Sequence, residues 1–367
     1  MAVTAWGARD GLVALHQIQG VGWHTIDALL RAGWDPARPL EASGHALERV
    51  QWRRKEVPGS IRKKWTAPFV RKVQEELARR TIQTLTVWDD DYPDRLRELP
   101  QPPWVLYLKG DPSLLTHPCL AVVGTRKPTS YGKQATAKLA AETASRGWTI
   151  VSGLAAGIDG EAHRAVLQRG GRTAAVLGCG VDVVYPKHHR SLYEQLVAEG
   201  VVLSEAPPGV APRPGLFPQR NRIISGLSHG VLVVEAAERS GSLITADCGM
   251  EQGREVFAVP GPITSSQSMG SNRLIQQGAK CVLTSVDILE EFPHIPELPR
   301  EDIREEEPEE LSEEESQVFR FFEEGPLSLE ELTTCAGIPL GDLHRLLLAL
   351  QVKKRLRQLP GARFERV

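Results

Sequence analysis

The sequence predicts a mixed α/β protein, with a doubly wound, mostly parallel sheet between a helical domain and a small three-helix domain ending in a two-stranded tail. Three observations carry this reading. From Cys119 to about residue 292, short apolar runs rich in Val and Ile alternate with helix-length stretches, the pattern of buried parallel strands covered on both faces. Before about residue 80 the apolar spacing is helical, and helical spacing returns from Ser312 after an acidic, Pro-rich stretch. The expected domains are residues 1–80, 81–292 and 312–367, with 293–311 as an acidic linker.

In the first domain, Leu12, Leu15 and Ile18 share one helix face, and Ile26, Leu29 and Leu30 mark a second helix. Between them lies Gln19-Gly20-Val21-Gly22, the turn of a helix-hairpin-helix in a SAM-like domain. Paired glycines let a backbone approach a phosphate closely, and they serve equally in a tight turn without a ligand. Seven of the eight Trp lie at or before Trp104 with no regular spacing, which favours a small core padded with aromatics. Residues 82 to 115 read as a connector with extended pieces at Thr84–Val87 and Val105–Leu108.

The strands expected next are Leu120–Val123, Thr149–Val151, Thr173–Leu177, Val201–Leu203, Val231–Val234, Glu255–Val259 and Cys281–Leu283. Helices are expected at Gly132–Arg146, Ile158–Arg169 and Leu243–Gln252. In the last domain, Gln317–Phe322, a segment begun by Ser328 with Glu331 as a capping box, and Leu340–Leu350 give three helices before the basic tail Lys353–Arg366. This is the outline of a winged helix, a module that reads DNA in some proteins and binds protein in others.

Composition is ordinary for a globular chain of 367 residues, with 41% hydrophobic and 25% charged residues. The net charge of −2 hides an uneven distribution. Residues 1–80 carry +6, residues 297–315 carry −9 and residues 339–367 carry +5. Basic ends suit nucleic acid and equally suit solvated helix faces. No apolar run reaches the ~20 residues of a membrane helix, so no membrane insertion is expected. Met1 to Asp10 lack the features of a signal peptide. Cys119, Cys179, Cys248, Cys281 and Cys335 are scattered and odd in number, which indicates neither disulfides nor a zinc site, and a reducing cytoplasm is the expected compartment.

In a doubly wound sheet, ligands sit beyond the carboxyl ends of the strands. The segments expected there are Gly124-Thr125-Arg126 through Gly132, Ser152-Gly153 through Asp159, Gly178-Cys179-Gly180 with Tyr185-Pro186-Lys187, Phe217-Pro218-Gln219-Arg220-Asn221-Arg222, and Glu235 with Arg239-Ser240-Gly241-Ser242. Together they offer glycines for close backbone approach, hydroxyls at helix starts (Thr129 or Ser130 for one of them), and the cations Arg126, Lys187, Arg220, Arg222 and Arg239. That is an anion-binding rim with room for several phosphates.

An enzyme would need a nucleophile or an acid/base pair. Asp159 and His163 lie four apart on one helix, with no evident third metal ligand, and read as a helix-start residue and a packing histidine. Gly178-x-Gly180 lacks the third glycine of a dinucleotide fingerprint, with Val183 in its place. No metal or cofactor is expected.

The ordered set Gly124-x-Arg126…Ser130-Tyr131-Gly132, Ser152-Gly153-Leu154-Ala155-x-Gly157-Ile158-Asp159-x-x-Ala162-His163, Tyr185-Pro186-Lys187, Phe217-Pro218-x-Arg220-Asn221-Arg222-Ile223-Ile224 and Ser240-Gly241-Ser242-Leu243-Ile244-Thr245 resembles the DprA (Smf) family of DNA-processing proteins, over roughly residues 84 to 292. The resemblance implies a Rossmann-like domain and a DNA-binding protein that is not an enzyme. Such proteins hold and protect single-stranded DNA during natural transformation. They load the RecA recombinase against single-strand binding protein, and act as homodimers joined through the Rossmann-like domain. By motif match the phosphate pocket comprises Gly124, Arg126, Ser130, Ser152, Gly153, Lys187, Asn221, Ser240, Gly241 and Ser242, with Phe217 as the motif's aromatic. His188-His189-Arg190 departs from the family, where many relatives carry Asn or another polar residue. The dimer contact is expected over about residues 265 to 285. The competing reading is a nucleotide-binding enzyme or sensor of the phosphoribohydrolase type, with Glu235 as its key acid.

Overall fold

The computed structural model describes residues 6–38, 45–52, 54–295, 311–323, 325–353, 355–359 and 363–366. Most of the expected acidic linker, 296–310, lies outside the described residues. The chain divides into two compact units, Met1–Ile303 and Arg304–Val367.

The first unit begins with helices α1 (Ala8–His16), α2 (Trp23–Arg31), α3 (Ala46–Arg49), α4 (Glu56–Lys64) and α5 (Ala67–Arg79). Leu12, Leu15, Ile18, Ile26 and Leu29 are all buried, as their spacing requires. Between α1 and α2, Gly20 has φ +88°, a conformation glycine adopts without steric cost. These helices do not close a core among themselves. Their apolar side chains run into one cluster with Val105, Tyr107, Ala175, Leu177 and Val202 of the sheet. The ring nitrogen Nδ1 of His16 lies 3.1 Å from the Tyr107 hydroxyl across this junction. Trp6 and Trp34 meet Trp65 edge-on, with ring centres 5.7 and 5.0 Å away.

The sheet has nine strands: β1 (Gln83–Thr86), β2 (Val105–Gly110), β3 (Cys119–Val123), β4 (Thr149–Ser152), β5 (Thr173–Val176), β6 (Val201–Ser204), β7 (Gly230–Val233), β8 (Glu255–Ala258) and β9 (Lys280–Cys281). Their order is β1-β2-β6-β5-β4-β3-β7-β8-β9. Strands β3 to β9 pair in parallel, and the extended pieces of the connector add β2 and β1 antiparallel at one edge. The short α6 (Asp94–Arg97) bridges β1 and β2.

Helices α7 (Ser130–Ala144) and α8 (Ile158–Leu167) cover one face of the sheet through Leu139, Ala162 and Val166. Helix α9 (Arg190–Glu199) packs with the N-terminal helices through Leu192 and Leu196. Helices α10 (Leu216–Leu227) and α11 (Gly241–Glu251) cover the opposite face through Ile223, Ile224 and Ala246. The unit closes with α12 (Met269–Gln276) and α13 (Val286–Leu289).

The second unit is a winged helix. It comprises α14 (Glu313–Arg320), α15 (Leu329–Ala336) and α16 (Leu340–Val352), with the hairpin β11 (Leu356–Leu359) and β12 (Arg363–Arg366) joined on its β12 side by β10 (Leu327–Ser328). Val318, Leu332, Leu343, Leu347 and Phe364 form its core. The expected capping box of Ser328 and Glu331 is present. A second box, Ser312 with Glu315, starts α14 four residues before the expected helix Gln317–Phe322. Among the described residues, no helix is long and apolar enough to cross a membrane.

His163 is fully buried. Thr173 Oγ1 donates to the Ile150 carbonyl at 2.8 Å and so accepts from His163 Nδ1 at 2.7 Å, which leaves Nε2 without a partner among the described residues. Burial pulls this histidine down to about 3 and His16 down to about 4. In the unfolded chain both titrate near 6.5, so below that pH the unfolded state binds more protons than the folded state. Stability is therefore complete above about pH 6.5 and declines as pH falls toward 4. A series of thermal melts from pH 7 to 4.5 is expected to show a steadily falling Tm. A flat profile would contradict the burial of neutral histidines.

Candidate nucleic-acid interface

Strands β4, β5 and β6 lie on one side of β3, and β7, β8 and β9 on the other. The chain returns from β6 to β7 through α10, whose N-terminal turn overhangs the carboxyl rim. Here the loop after β3, the loop after β4, the start of α10 and the start of α11 enclose a cleft of about 540 Å³. A smaller pocket of about 120 Å³ adjoins it under Phe217 and Tyr185.

Gly124, Arg126, Phe217, Arg220, Asn221, Ser240, Gly241 and Ser242 line the cleft, and Gly153 lines the adjoining pocket. Gly124 is demanded by packing: a Cβ there would lie 2.6 Å from Ile158 Cγ1 and 2.8 Å from the Glu235 carbonyl oxygen. Ser240 caps α11, its Oγ 3.4 Å from the Ser242 amide that donates to it and 2.8 Å from Ser242 Oγ. Asn221 Nδ2 reaches the Gly241 carbonyl at 3.4 Å, which ties α10 to the start of α11. The helix start places backbone N–H groups and the positive end of a dipole at the cleft wall.

Arg220 is the floor. Its side chain is 7% exposed, its Nη1 donates to the Val176 carbonyl, and its Nε has no hydrogen-bond partner among the described residues. Gly153 makes room for it: a Cβ at that position would lie 2.0 Å from Arg220 Nη1. Burial lowers the guanidinium from its usual value and raises the nearby Asp159 carboxyl, and each opposes the other's shift through its charge. Asp159 also accepts from the Ala155 amide at 3.3 Å, as a helix-start residue does. A desolvated cation short of partners is poised for an anion.

Above the floor, the exposed Arg126 holds its guanidinium carbon 5.7 Å from the centre of the Phe217 ring. Tyr185, 39% exposed, lies on the other flank, its ring centre 5.6 Å from that of Phe217 at an interplanar angle of 32°. The pairing of Tyr185 with Phe217 was not readable from the sequence, because one lies in the loop after β5 and the other in the first turn of α10. Their shared place on one rim was the available signal.

The other expected residues lie outside the cleft lining. Ser130 is exposed in the first turn of α7, and Thr129 is the residue that caps that helix. Ser152 ends β4 fully buried, with its hydroxyl donating to the Val122 carbonyl at 2.6 Å. Lys187 and Arg239 are exposed on the surrounding loops. Arg222 turns away, its Nη2 at 2.7 and 2.6 Å from the two carboxylate oxygens of Glu205 and its Nη1 on the Gln101 carbonyl. Among the described residues, no group of His, Cys, Asp and Glu has the arrangement of a metal site.

A family profile described as DNA recombination-mediator protein A matches residues 83–293, and one described as the DprA winged helix domain matches residues 303–362. Protein Smf of Synechocystis sp. is 35% identical over 96% of this chain and 98% of its own length. DNA processing protein DprA of Bacillus subtilis is 42% identical over 72% of this chain and 90% of its own length. Among solved structures, DNA processing protein A from Streptococcus pneumoniae aligns with a TM-score of 0.69 at 38% identity, over 77% of this chain and 98% of that one. The Helicobacter pylori DNA processing protein A, described for a unique single-stranded DNA binding mode, aligns with a TM-score of 0.52 at 32% identity, over 57% of this chain and 94% of that one. With its cleft motifs, its sheet and its C-terminal unit all matched, the chain belongs to the DNA recombination-mediator protein A family.

Proposed function

We propose that this chain binds single-stranded DNA along the carboxyl rim of its sheet and acts by handling the strand. The observation that carries the reading is the convergence on one cleft of a helix start, a buried arginine, an exposed arginine and an aromatic pair. Backbone N–H groups and arginines hold phosphates without regard to sequence, and Phe217 with Tyr185 offers stacking surface to a base. The binding mode described for the Helicobacter pylori relative supports the same ligand. Lys187 and Arg239 extend the positive rim beyond the cleft, so the path suits a strand longer than one nucleotide. Family membership extends the reading to protection of the strand and loading of RecA in the presence of single-strand binding protein, in the cytoplasm.

The enzyme reading rested on Glu235. That residue is 1% exposed, its carboxylate is engaged by Thr129, and it is absent from the cleft lining. We therefore favour a protein without catalytic activity. A homodimer joined through the Rossmann-like domain is supported by exposed apolar side chains in the loops after β8 and β9. Ile263 is 86% and Leu283 70% exposed, and Val286 follows at the start of α13.

Arg126→Ala and Lys187→Ala are each expected to weaken binding of a single-stranded oligonucleotide about tenfold and to lower its salt slope by about 0.7 per lost phosphate contact. Fluorescence titrations at several salt concentrations check this, and wild-type affinity for both variants would sink the pocket assignment. Gly153→Ala is expected to push Arg220 off its seat, destabilising the fold by about 1–3 kcal/mol and weakening strand binding. Denaturant melts alongside titrations measure both, and unchanged values would mean that the guanidinium relocates freely. Leu283→Glu is expected to shift the dimer toward monomer in sedimentation at micromolar protein. A dimer as strong as wild type would move the interface elsewhere.

A further inference from the structure

Glu235 is a buried carboxylate that strand binding, as described so far, leaves without a role. It follows β7, the strand that pairs with β3 across the reversal of strand order. Its carbonyl oxygen accepts from the Thr125 amide at 2.7 Å. Its side chain accepts from the Thr129 amide at 2.8 Å and from Thr129 Oγ1 at 2.6 Å. Thr129 Oγ1 in turn accepts from the Gly132 amide at 3.1 Å and so caps α7. A single residue thus holds both ends of the segment Thr125–Thr129, which has Arg126 inside it. The fit is close, since a Cβ on Gly132 would lie 2.1 Å from the Glu235 carboxylate. Further bonds steady the near end, from the Ile158 amide to the Thr125 carbonyl at 3.2 Å and from the Lys127 amide to Thr125 Oγ1 at 3.2 Å. The far end is tied to the start of α7, where the Lys133 amide donates to the Thr129 carbonyl at 3.1 Å, and to the β7 side of the rim by the carboxylate.

We infer that Glu235 is a positioning residue for strand binding, which fixes through Thr129 where the Arg126 guanidinium meets a phosphate. The inference rests on the single-stranded DNA reading above. It assigns the acid of the enzyme reading a task that needs neither substrate nor proton transfer. A carboxylate with two donors is worth more than a neutral acceptor, so its removal should loosen the loop well before the sheet.

The test is a set of titrations of the full chain with a labelled oligothymidylate at several salt concentrations. Glu235→Ala is expected to weaken binding about tenfold and to lower the salt slope by about 0.7, the share of one phosphate. In an Arg126→Ala background the same change is expected to add less than about twofold, whereas in a Lys187→Ala background it keeps its full effect. Glu235→Gln, which retains an acceptor for the Thr129 amide, is expected to stay within about threefold of wild type. If Glu235→Ala fails to fold, Thr129→Val removes the same link from the other side and carries the same expectations, with Thr129→Ser as its rescue. Equal losses in both backgrounds, or wild-type affinity for the folded variants, would overturn the positioning role. Strand binding that depends on Arg126 but not on Glu235 overturns this inference alone. Failure of the unaltered chain to bind single strands overturns the function proposed above as well.

Discussion

Between β3 and β7 the strand order reverses, and the helices after these two strands leave on opposite faces of the sheet. The constraint is geometric: right-handed crossovers running in opposite directions must part, and the gap between them opens at the carboxyl ends. Each feature of the cleft follows from that parting. The loop with Arg126 leaves toward one face, the Ser240–Ser242 turn toward the other, and α10 closes the gap as it crosses back. Largely apolar central strands make this stable, because they are buried on both faces and leave the charged chemistry to the loops beyond their ends.

Within the gap, polar groups are matched at short range before any ligand arrives. Asp159 offsets part of the cost of burying Arg220, and the Val176 carbonyl accepts a hydrogen bond from its Nη1. Its Nε has no partner among the described residues. Buried charge held in a low-dielectric site acts over a longer reach than the same charge in water, so one arginine on the floor shapes the potential of the whole cleft.

Much of this was legible in the residues. Apolar β-branched runs marked the parallel strands within a residue or two, and the rim followed from where those runs end. Nine of the expected site residues line the cleft or the pocket beside it. What the sequence could not convey was direction. Arg220 and Arg222 differ by two positions on one helix, about 200° of rotation apart, so one reaches the floor and the other meets Glu205. Ser152 sits at a strand end, where the next residue faces the pocket and its own hydroxyl faces β3. Long-range pairing was equally silent: β1 and β2 look like a connector until they pair with each other and with β6, and the N-terminal helices look self-contained until the sheet completes their core.

Gly153 has a kinetic consequence. By leaving space for Arg220 it lets that cation shed its water during folding, so the desolvation is complete before a strand arrives. On the proposed path of the strand, the exposed cations Arg126, Lys187 and Arg239 act at a distance and set how often it is captured. On the same path the arginine beneath them acts within the cleft and sets how long a seated strand stays. Encounter and residence are thereby assigned to different layers of the same rim, and salt should slow the search far more than it shortens the dwell.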